Sequence, residues 1–392
     1  MQLKTMRNLD VKGKKMLVRV DFNVPLDERG KVTDDTRIKA TLPTIKYLVD
    51  KGAKVILMSH LGRPKGKVVE GLRLDDVARR LSELLGREVK KADDCVGSPA
   101  TEAAEGLKEG DVLLLENLRF HPEEEKNDPA FAKSLAGLAD LYINDAFGTA
   151  HRAHASTAGV ADYLPAAAGL LMEKEINTLG SILADPRRPF VAVLGGAKVA
   201  DKIGVLKNLV NKVDALLLGG GMANTFLKAA GSELGDSLVD DEHLQFAEEF
   251  LATAKERDVQ VALPLDLVIA ASAEQNDALV VDADNVPRGR RALDIGPRTA
   301  EHYSQLIKEA KTAFWNGPMG VFEKEQFAHG SEMIARALCR PGLTSVVGGG
   351  DSLAVLEKYG LAGQVTHAST GGGASLEFLE GKELPGVFKL ME

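Results

Sequence analysis

The sequence predicts an α/β protein of two Rossmann-like, doubly wound domains, each a parallel sheet with helices on both faces. Apolar β-branched runs alternate with longer helix-periodic stretches along the whole chain, which is how parallel strands and their crossover helices read. At 392 residues the chain exceeds one ordinary core and suits two. In the second half, five apolar runs end in glycine clusters: GGAK at 195–198, GGG at 219–221, NGPMG at 316–320, GGGDS at 348–352 and TGGGAS at 370–375. A strand that gives way to glycine leaves backbone N–H groups open to an anion, so these turns point to phosphate as well as to tight chain reversal.

In the first half the expected strands are MLVRVDF (16–22), KVILMSH (54–60), VLLLENLRF (112–120) and LYINDAFG (141–148), with helices such as 34–51 and 74–85 between them. The first of these helices has Thr33, Asp34 and Asp35 as side-chain caps and Gly52 as its stop, which puts Arg37 in its first turn. The second half offers FVAVLGG (190–196), ALLLGGG (215–221), VQVALPLDLVI (259–269), AFWNG (313–317), SVVGGG (345–350) and QVTHASTGGG (364–373). Between the halves, the segment 165–189 reads as a helix closed by a Pro/Arg-rich turn, the expected domain boundary and hinge. No internal repeat or low-complexity tract interrupts this plan.

Composition excludes several classes. A hydrophobic fraction of 44%, a charged fraction of 27% and a mean hydropathy of −0.09 are those of a soluble globular chain rather than a disordered one. No run approaches the roughly 18 apolar residues of a membrane span, and MQLKTMRNLDVKGKK lacks the apolar core of a signal peptide, so a cytoplasmic protein with no membrane partner is expected. Cys95 and Cys339 stand far apart with no CxxC or His-rich neighbourhood, indicating neither a disulfide framework nor a zinc site. The net charge of −8 argues against nucleic acid. Its distribution is uneven, since residues 1–170 carry 27 Lys and Arg against 26 Asp and Glu, whereas residues 171–392 carry 22 against 31.

In open α/β sheets, ligands bind outside the carboxyl ends of the strands. In the first half those ends carry Arg19, Asp21 and Asn23, then His60 and Arg63, then Asn117, Arg119 and His121, and finally His151, Arg152 and His154, with Arg37 added by its helix. Each taken singly reads first as a surface ion pair or a satisfied histidine; together they form an array of planar forks suited to a small ligand with several negative charges. The second half lines its equivalent edge with glycine, Lys198, Lys202, Asn316 and Asp351. The spacing of GGAKVADKI predicts Lys198 and Lys202 on one face of a helix that starts after the glycines. Asp351, directly after a glycine turn, has two readings: a hard carboxylate for Mg²⁺ on nucleotide phosphates, or a helix N-cap. There is no GxxxxGK[ST], no GxGxxG turn, no DFG/HRD pair and no GxSxG elbow, which removes P-loop NTPases, Rossmann dehydrogenases, protein kinases and α/β-hydrolases.

RVDFNVP (19–25), SHLGRP (59–64), ENLRFHPEEE (116–125), INDAFGTAHRAHAS (143–156), GGAKVADKI (195–203), WNGPMGVFE (315–323), GGGDS and STGGGAS closely resemble the phosphoglycerate kinase family, in the family's order and over the whole chain. Ser352 stands where relatives often have threonine, which keeps the hydroxyl. The resemblance implies an N-terminal domain over 1–170 for 3-phosphoglycerate or 1,3-bisphosphoglycerate, an interdomain helix over 171–188 and a C-terminal domain over 189–375 for ADP or ATP. The active site is then expected in the cleft, with a tail from about 376 to 392 packing back on the first domain. Carried over by motif, Asp21, Phe22, Asn23, Arg37, His60, Leu61, Gly62, Arg63, Arg119 and Arg152 would hold the glycerate and its phosphate. Gly196, Ala197, Lys198, Lys202, Asn316, Glu323, Gly349, Gly350, Asp351 and Ser352 would hold the nucleotide, with Glu323 on the ribose and Asp351 on Mg²⁺. Arg37, Lys198, Lys202 and the Gly371, Gly372, Gly373 turn would meet the phosphoryl group in transfer. A monomer is implied.

The implied chemistry accounts for the lack of a general base, because a β-phosphate oxygen and a carboxylate are already ionised nucleophiles at neutral pH. Fixed cations and N–H donors then supply most of the catalysis. Substrates held on two domains imply hinge closure. The rival reading, a non-catalytic nucleotide-binding regulator on the same fold, would be expected to lose Arg37, Lys202 or Asp351, and all three are present. Gly219–Gly221 stays open between phosphate binding and a turn that lets a helix pack close to its strand.

Overall fold

The computed structural model describes residues 2–392. The chain divides into two compact units, residues 1–177 with Glu383–Glu392, and residues 178–382. The helix Leu170–Ala184 contains the change from one unit to the other.

Unit 1 is built on six parallel strands: β1 (Lys15–Arg19), β2 (Lys54–Met58), β3 (Val89–Lys91), β4 (Val112–Leu114), β5 (Leu141–Asn144) and β6 (Ala166–Ala168), in the order β3-β4-β2-β1-β5-β6. Both faces are covered, so the strands read as unbroken apolar runs. Met16 and Val18 of β1 join Val55, Leu57 and Ile143 in one core, while Leu17 joins Ile56, Met58 and Tyr142 in the other. Strand order reverses between β1 and β5, which makes the gap past their carboxyl ends the natural ligand position.

Unit 2 contains β7 (Phe190–Leu194), β8 (Ala215–Leu218), β9 (Glu233–Leu234), β10 (Gln260–Ala262), β11 (Asp266–Ala270), β12 (Leu279–Asp282), β13 (Asn285–Val286), β14 (Arg291–Ile295), β15 (Thr312–Asn316), β16 (Thr344–Gly348) and β17 (His367–Ala368). Its main sheet is parallel in the order β10-β8-β7-β15-β16-β17, reversing between β7 and β15. Here Val191 and Val193 pack with Trp315 and Val347 beneath the helices. An antiparallel sheet β12-β11-β14 and a two-stranded pair β13-β9 complete the unit.

Several expected elements are shorter than predicted. The run 112–120 stops as a strand at Leu114, because Asn117 caps a 3₁₀ turn over Leu118–Phe120 by accepting from Arg119 N–H. The run 259–269 becomes two strands in different sheets, β10 and β11, with Pro264 between them, where a missing N–H cannot continue a ladder. Of 364–373, only His367–Ala368 pairs. The helix expected at 34–51 spans Thr36–Asp50, and its N-cap Asp35 makes no capping bond; the Asp35 carboxylate is taken by Lys39 and Arg80 instead. Gly52 does close it, at φ +76°.

The tail joins unit 1 from Glu383 onward, not from about 376. The helix Gly373–Leu379 still packs on the helix Ile203–Leu209 inside unit 2, and Asn208 Nδ2 holds the carbonyl of Leu379 at 2.6 Å. Beyond it, Gly386 N–H donates to Ala150 at 2.8 Å, and Leu3 pairs with Met391.

Candidate functional site

At the reversal of the unit 1 sheet, Asp21 and Asn23 follow β1. Asp21 accepts from the Arg37 guanidinium and from Asn23 N–H, so it holds Arg37 in place over the strand end. Asn23 Oδ1 accepts from Gly62 N–H at 2.8 Å, and Phe22, fully buried, donates its N–H to Ser59 Oγ at 2.9 Å. Leu61 is clamped by Asn117 through both its N–H, at 3.2 Å, and its carbonyl, at 2.8 Å. Arg119 donates to the Gly62 carbonyl at 3.0 Å. These bonds tie the loops after β1, β2 and β4 into one frame.

Within it sits His60, nearly inaccessible to solvent. Burial pushes its pKa well below the ordinary histidine value, and the charges of Arg19, Arg119, Arg37 and Arg152 push the same way. Four guanidiniums act on one ring, which brings together residues separated by more than a hundred positions in the sequence. His154 is held down to about 4 by burial and then by Arg119, Arg19 and Arg152. Such an accumulation of like charge is costly without an anion to answer it. Arg63 is exposed and makes no ion pair among the described residues.

Not every member of the expected array faces a ligand. Arg19 is fully buried and spent on Ser156, Val20 and His60. Asn117 is a backbone clamp, and His121 bonds Asp94 at 2.7 Å. Asp94, Cys95 and His121 lie together, but Asp94 Oδ1 already accepts from Cys95 N–H and pairs with His121, and burial followed by the Asp94 charge pushes the Cys95 thiol up.

In unit 2 the reversal point lies between Gly195, after β7, and Asn316, at the end of β15. A cavity there is lined by Gly195, Gly196, Ala197, Lys198, Asp201, Lys202, Asn316, Gly349, Gly350, Asp351, Ser352, Gly372 and Gly373, among others. Lys202 is buried and donates to Asn316 Oδ1; burial lowers its pKa to about 8. Asn316 Nδ2 donates to the Gly348 carbonyl at 2.8 Å, and Ser352 Oγ accepts from Gly317 N–H at 2.7 Å. Gly349 has φ +91°, and a Cβ there would meet Asn316 Nδ2 at 2.8 Å.

Lys198 and Lys202 do share this cavity, but not as neighbours on one helix face. Lys198 lies in the irregular loop before the 3₁₀ turn Ala200–Lys202, and the α-helix begins only at Ile203. Of the two readings of Asp351, the N-cap one fails: Gly349 is the cap of the helix Gly350–Lys358, and Asp351 sits exposed in its first turn with no side-chain capping bond. Its carboxylate faces the lysine cavity as a hard oxygen donor, which fits a Mg²⁺ site completed by phosphate oxygens and water. Gly372, at φ +52°, caps the helix Gly373–Leu379, and both line the cavity, whereas Gly371 is buried behind them.

A second, mainly apolar cavity of about 320 Å³ adjoins it through Gly196, Ala197 and Asp351. Leu238, Leu267, Leu293, Val321, Gly220, Gly221 and Glu323 are in its wall. Sequence reasoning missed most of this wall, because Leu238 and Leu293 come from segments far apart and carry no motif. It also clarifies Gly219–Gly221. A Cβ on Gly220 would meet Gly196 O at 2.6 Å and one on Gly221 would meet Ala197 O at 2.6 Å, so these glycines let the helix Gly220–Ala229 press against the loop that follows β7.

A family model described as phosphoglycerate kinase matches residues 6–382. The chain is 62% identical over 389 residues to the phosphoglycerate kinase of Moorella thermoacetica, covering 99% of each. It is 56% identical over 393 residues to that of Pelotomaculum thermopropionicum, covering 100% of each. Among solved structures, the phosphoglycerate kinase of Coxiella burnetii is similar with a TM-score of 0.91 at 43% identity, over 99% of both chains. That of Pyrococcus horikoshii gives 0.87 at 37% identity, over 99% of this chain and 98% of the other. With its two parallel-sheet units and its sequence matched along nearly its full length, this chain belongs to the phosphoglycerate kinase family, phosphotransferases with a carboxyl group as acceptor.

Proposed function

We propose that the protein transfers a phosphoryl group reversibly and in line between 1,3-bisphosphoglycerate and ADP, giving 3-phosphoglycerate and ATP, with Mg²⁺ on the nucleotide phosphates. The observation that carries this reading is the pair of complementary anion sites: guanidiniums gathered on His60 in unit 1, and lysines with glycine turns at the sheet reversal of unit 2.

In this reading Asp21, Phe22, Asn23, Arg37, His60, Leu61, Gly62, Arg63, Arg119 and Arg152 form the 3-phosphoglycerate site. Asp21 orients Arg37, and the 60–63 loop follows the frame set by Asn23, Asn117 and Arg119. The apolar cavity of unit 2 takes the purine, Glu323 the ribose, and Lys198, Lys202, Asn316 and Gly349–Ser352 the phosphates. Asp351 would hold Mg²⁺, which neutralises phosphate charge. Arg37, Lys198, Lys202 and the N–H groups of Gly372 and Gly373 stabilise charge spread over the equatorial oxygens, Gly371 N–H being taken by Ser369 Oγ at 3.2 Å, and no side chain needs to remove a proton. The transferring atoms must approach and exclude water, so hinge closure around the helix Leu170–Ala184 belongs to the cycle.

We further infer a monomer working in the cytoplasm. Among the described residues no helix is long and apolar enough to cross a membrane. A coupled assay tests the main reading: ADP formation should require both ATP and 3-phosphoglycerate, and no turnover with both present would sink it. Solution scattering should show a smaller radius of gyration when both substrates are bound, and an unchanged radius would count against closure.

A further inference from the structure

Behind His60 stands a line of buried groups that never meets a ligand itself. Ser156 is fully buried; its N–H donates to Glu124 Oε2 at 2.9 Å, and its hydroxyl donates to Glu124 Oε1. The same hydroxyl oxygen accepts from Arg19 Nε at 2.7 Å. Arg19 spends its other nitrogens on the Val20 carbonyl and on His60 Nδ1, the latter at 3.1 Å. A guanidinium has donors and no acceptor, so His60 Nδ1 must accept and carries no proton. The ring hydrogen therefore lies on Nε2, which makes no hydrogen bond among the described residues.

We propose that Glu124, Ser156 and Arg19 are positioning residues that lock His60 as its Nε2–H tautomer, so that it offers one fixed N–H donor to a carboxylate or phosphate oxygen. The inference rests on the reading of unit 1 as the 3-phosphoglycerate site. The ligand's charge is answered by the arginines, and His60 supplies direction. Each link forces the next: burial raises the Glu124 pKa against the pull of Arg19, and while ionised it offers only acceptors to Ser156, which fixes the hydroxyl hydrogen, and the freed lone pair orients Arg19. The charges that reach the ring come from Arg19 on β1, Arg119 in its 3₁₀ turn, Arg37 on the helix Thr36–Asp50, and Arg152, and with burial they keep it neutral.

Nitrogen NMR of the full chain with labelled histidine, without substrate, tests the lock. The His60 ring, identified by the signals lost in His60→Gln, should show a bare Nδ1 and a protonated Nε2 that persist to about pH 5.5, below the ordinary histidine value. A protonated Nδ1 or an imidazolium at neutral pH overturns the proposal. Ser156→Ala should mix the tautomers and raise KM for 3-phosphoglycerate about tenfold while kcat changes less than about twofold, as expected for a misdirected hydrogen bond to a charged group. Unchanged His60 signals in Ser156→Ala overturn the positioning role. If that variant fails to fold, Glu124→Gln gives the same readout with the same two outcomes. Saturating 3-phosphoglycerate separates this inference from the site reading: the Nε2 signal should move. A correct tautomer whose Nε2 ignores the ligand overturns the donor role through failure of the site assignment alone.

Discussion

Lys202 gives its ammonium hydrogen to Asn316 Oδ1, and Asn316 gives its own Nδ2 hydrogen to the carbonyl of Gly348 at 2.8 Å. The amide is thereby oriented by β16, so that the lysine meets an acceptor rather than a donor. A buried ammonium with a neutral partner is charged only while protons are plentiful, and its pKa is held to about 8 against an ordinary 10.5.

One consequence is a pH limb. The rate constant kcat/KM for ADP should fall as pH rises through about 8, since the free protein loses the Lys202 charge there. Lys202→Met should be slower by about 10²–10³ in kcat and should lack this limb. The sign for stability is opposite: the unfolded chain binds the extra proton between about 8 and 10.5, so this residue's contribution to stability rises with pH across that window. A limb retained in Lys202→Met would assign it elsewhere.

Arg37 is held by Asp21 and adds its charge to the field on His60. Arg37→Ala should lower kcat by about 10²–10³, roughly 3–4 kcal/mol of transition-state stabilisation, at saturating substrates. Asp21→Asn should give a smaller loss, because the guanidinium remains but its anchor weakens. Near wild-type turnover in Arg37→Ala would remove it from the transferring step.

Asp351 and Asp201 each bring a carboxylate to the lysine cavity, and Asp351 is the one that directly follows a glycine turn. Chelation of Mg²⁺ should abolish turnover, and Asp351→Asn should shift the Mg²⁺ concentration for half-maximal rate upward by about tenfold or more, because the amide keeps an oxygen but loses the charge. A magnesium titration of both forms measures this, and superimposable curves would exclude Asp351 as the ligand.

Asp145 is fully buried at the start of the helix Leu170–Ala184, accepting from Leu171 N–H at 2.9 Å and Met172 N–H at 3.2 Å, with Oδ2 left unpaired. Burial raises its pKa from 3.8 to about 7. The folded protein therefore holds a proton that the unfolded chain has released between those values, and the stability so gained is complete below 3.8 and lost as pH rises through about 7. Asp145→Asn cannot show this loss. The difference in Tm between variant and wild type should favour the variant more at about pH 8 than at about pH 5, by on the order of a few kcal/mol in stability. Equal differences at both values would show that the carboxyl is not titrating.

The strand runs and the glycine clusters made the parallel sheets legible, since burial on both faces forces continuous apolar stretches. The arginines at the strand ends were legible for the same reason: a strand's end is where its sequence stops being apolar. What escaped was set by partners distant in the chain. β3 and β6, with sequences VKK and AAA, carry too little hydrophobic signal to be read as strands. Arg19 looks like Arg119 in sequence, and only Ser156 and His60 reveal that it faces inward. The helix after the lysines starts later than the four-residue spacing suggested, because the loop from Gly195 to Val199 must first run beneath Gly220 and Gly221.

The last ten residues complete unit 1 although the whole of unit 2 precedes them, with Lys4 N–H on Leu390 O at 2.8 Å and Asn144 Nδ2 on Gly386 O at 3.3 Å. During synthesis, then, unit 2 has its full set of residues before unit 1 does. Unit 1 waits, one piece short, until residues 383–392 have been made and close it like a latch.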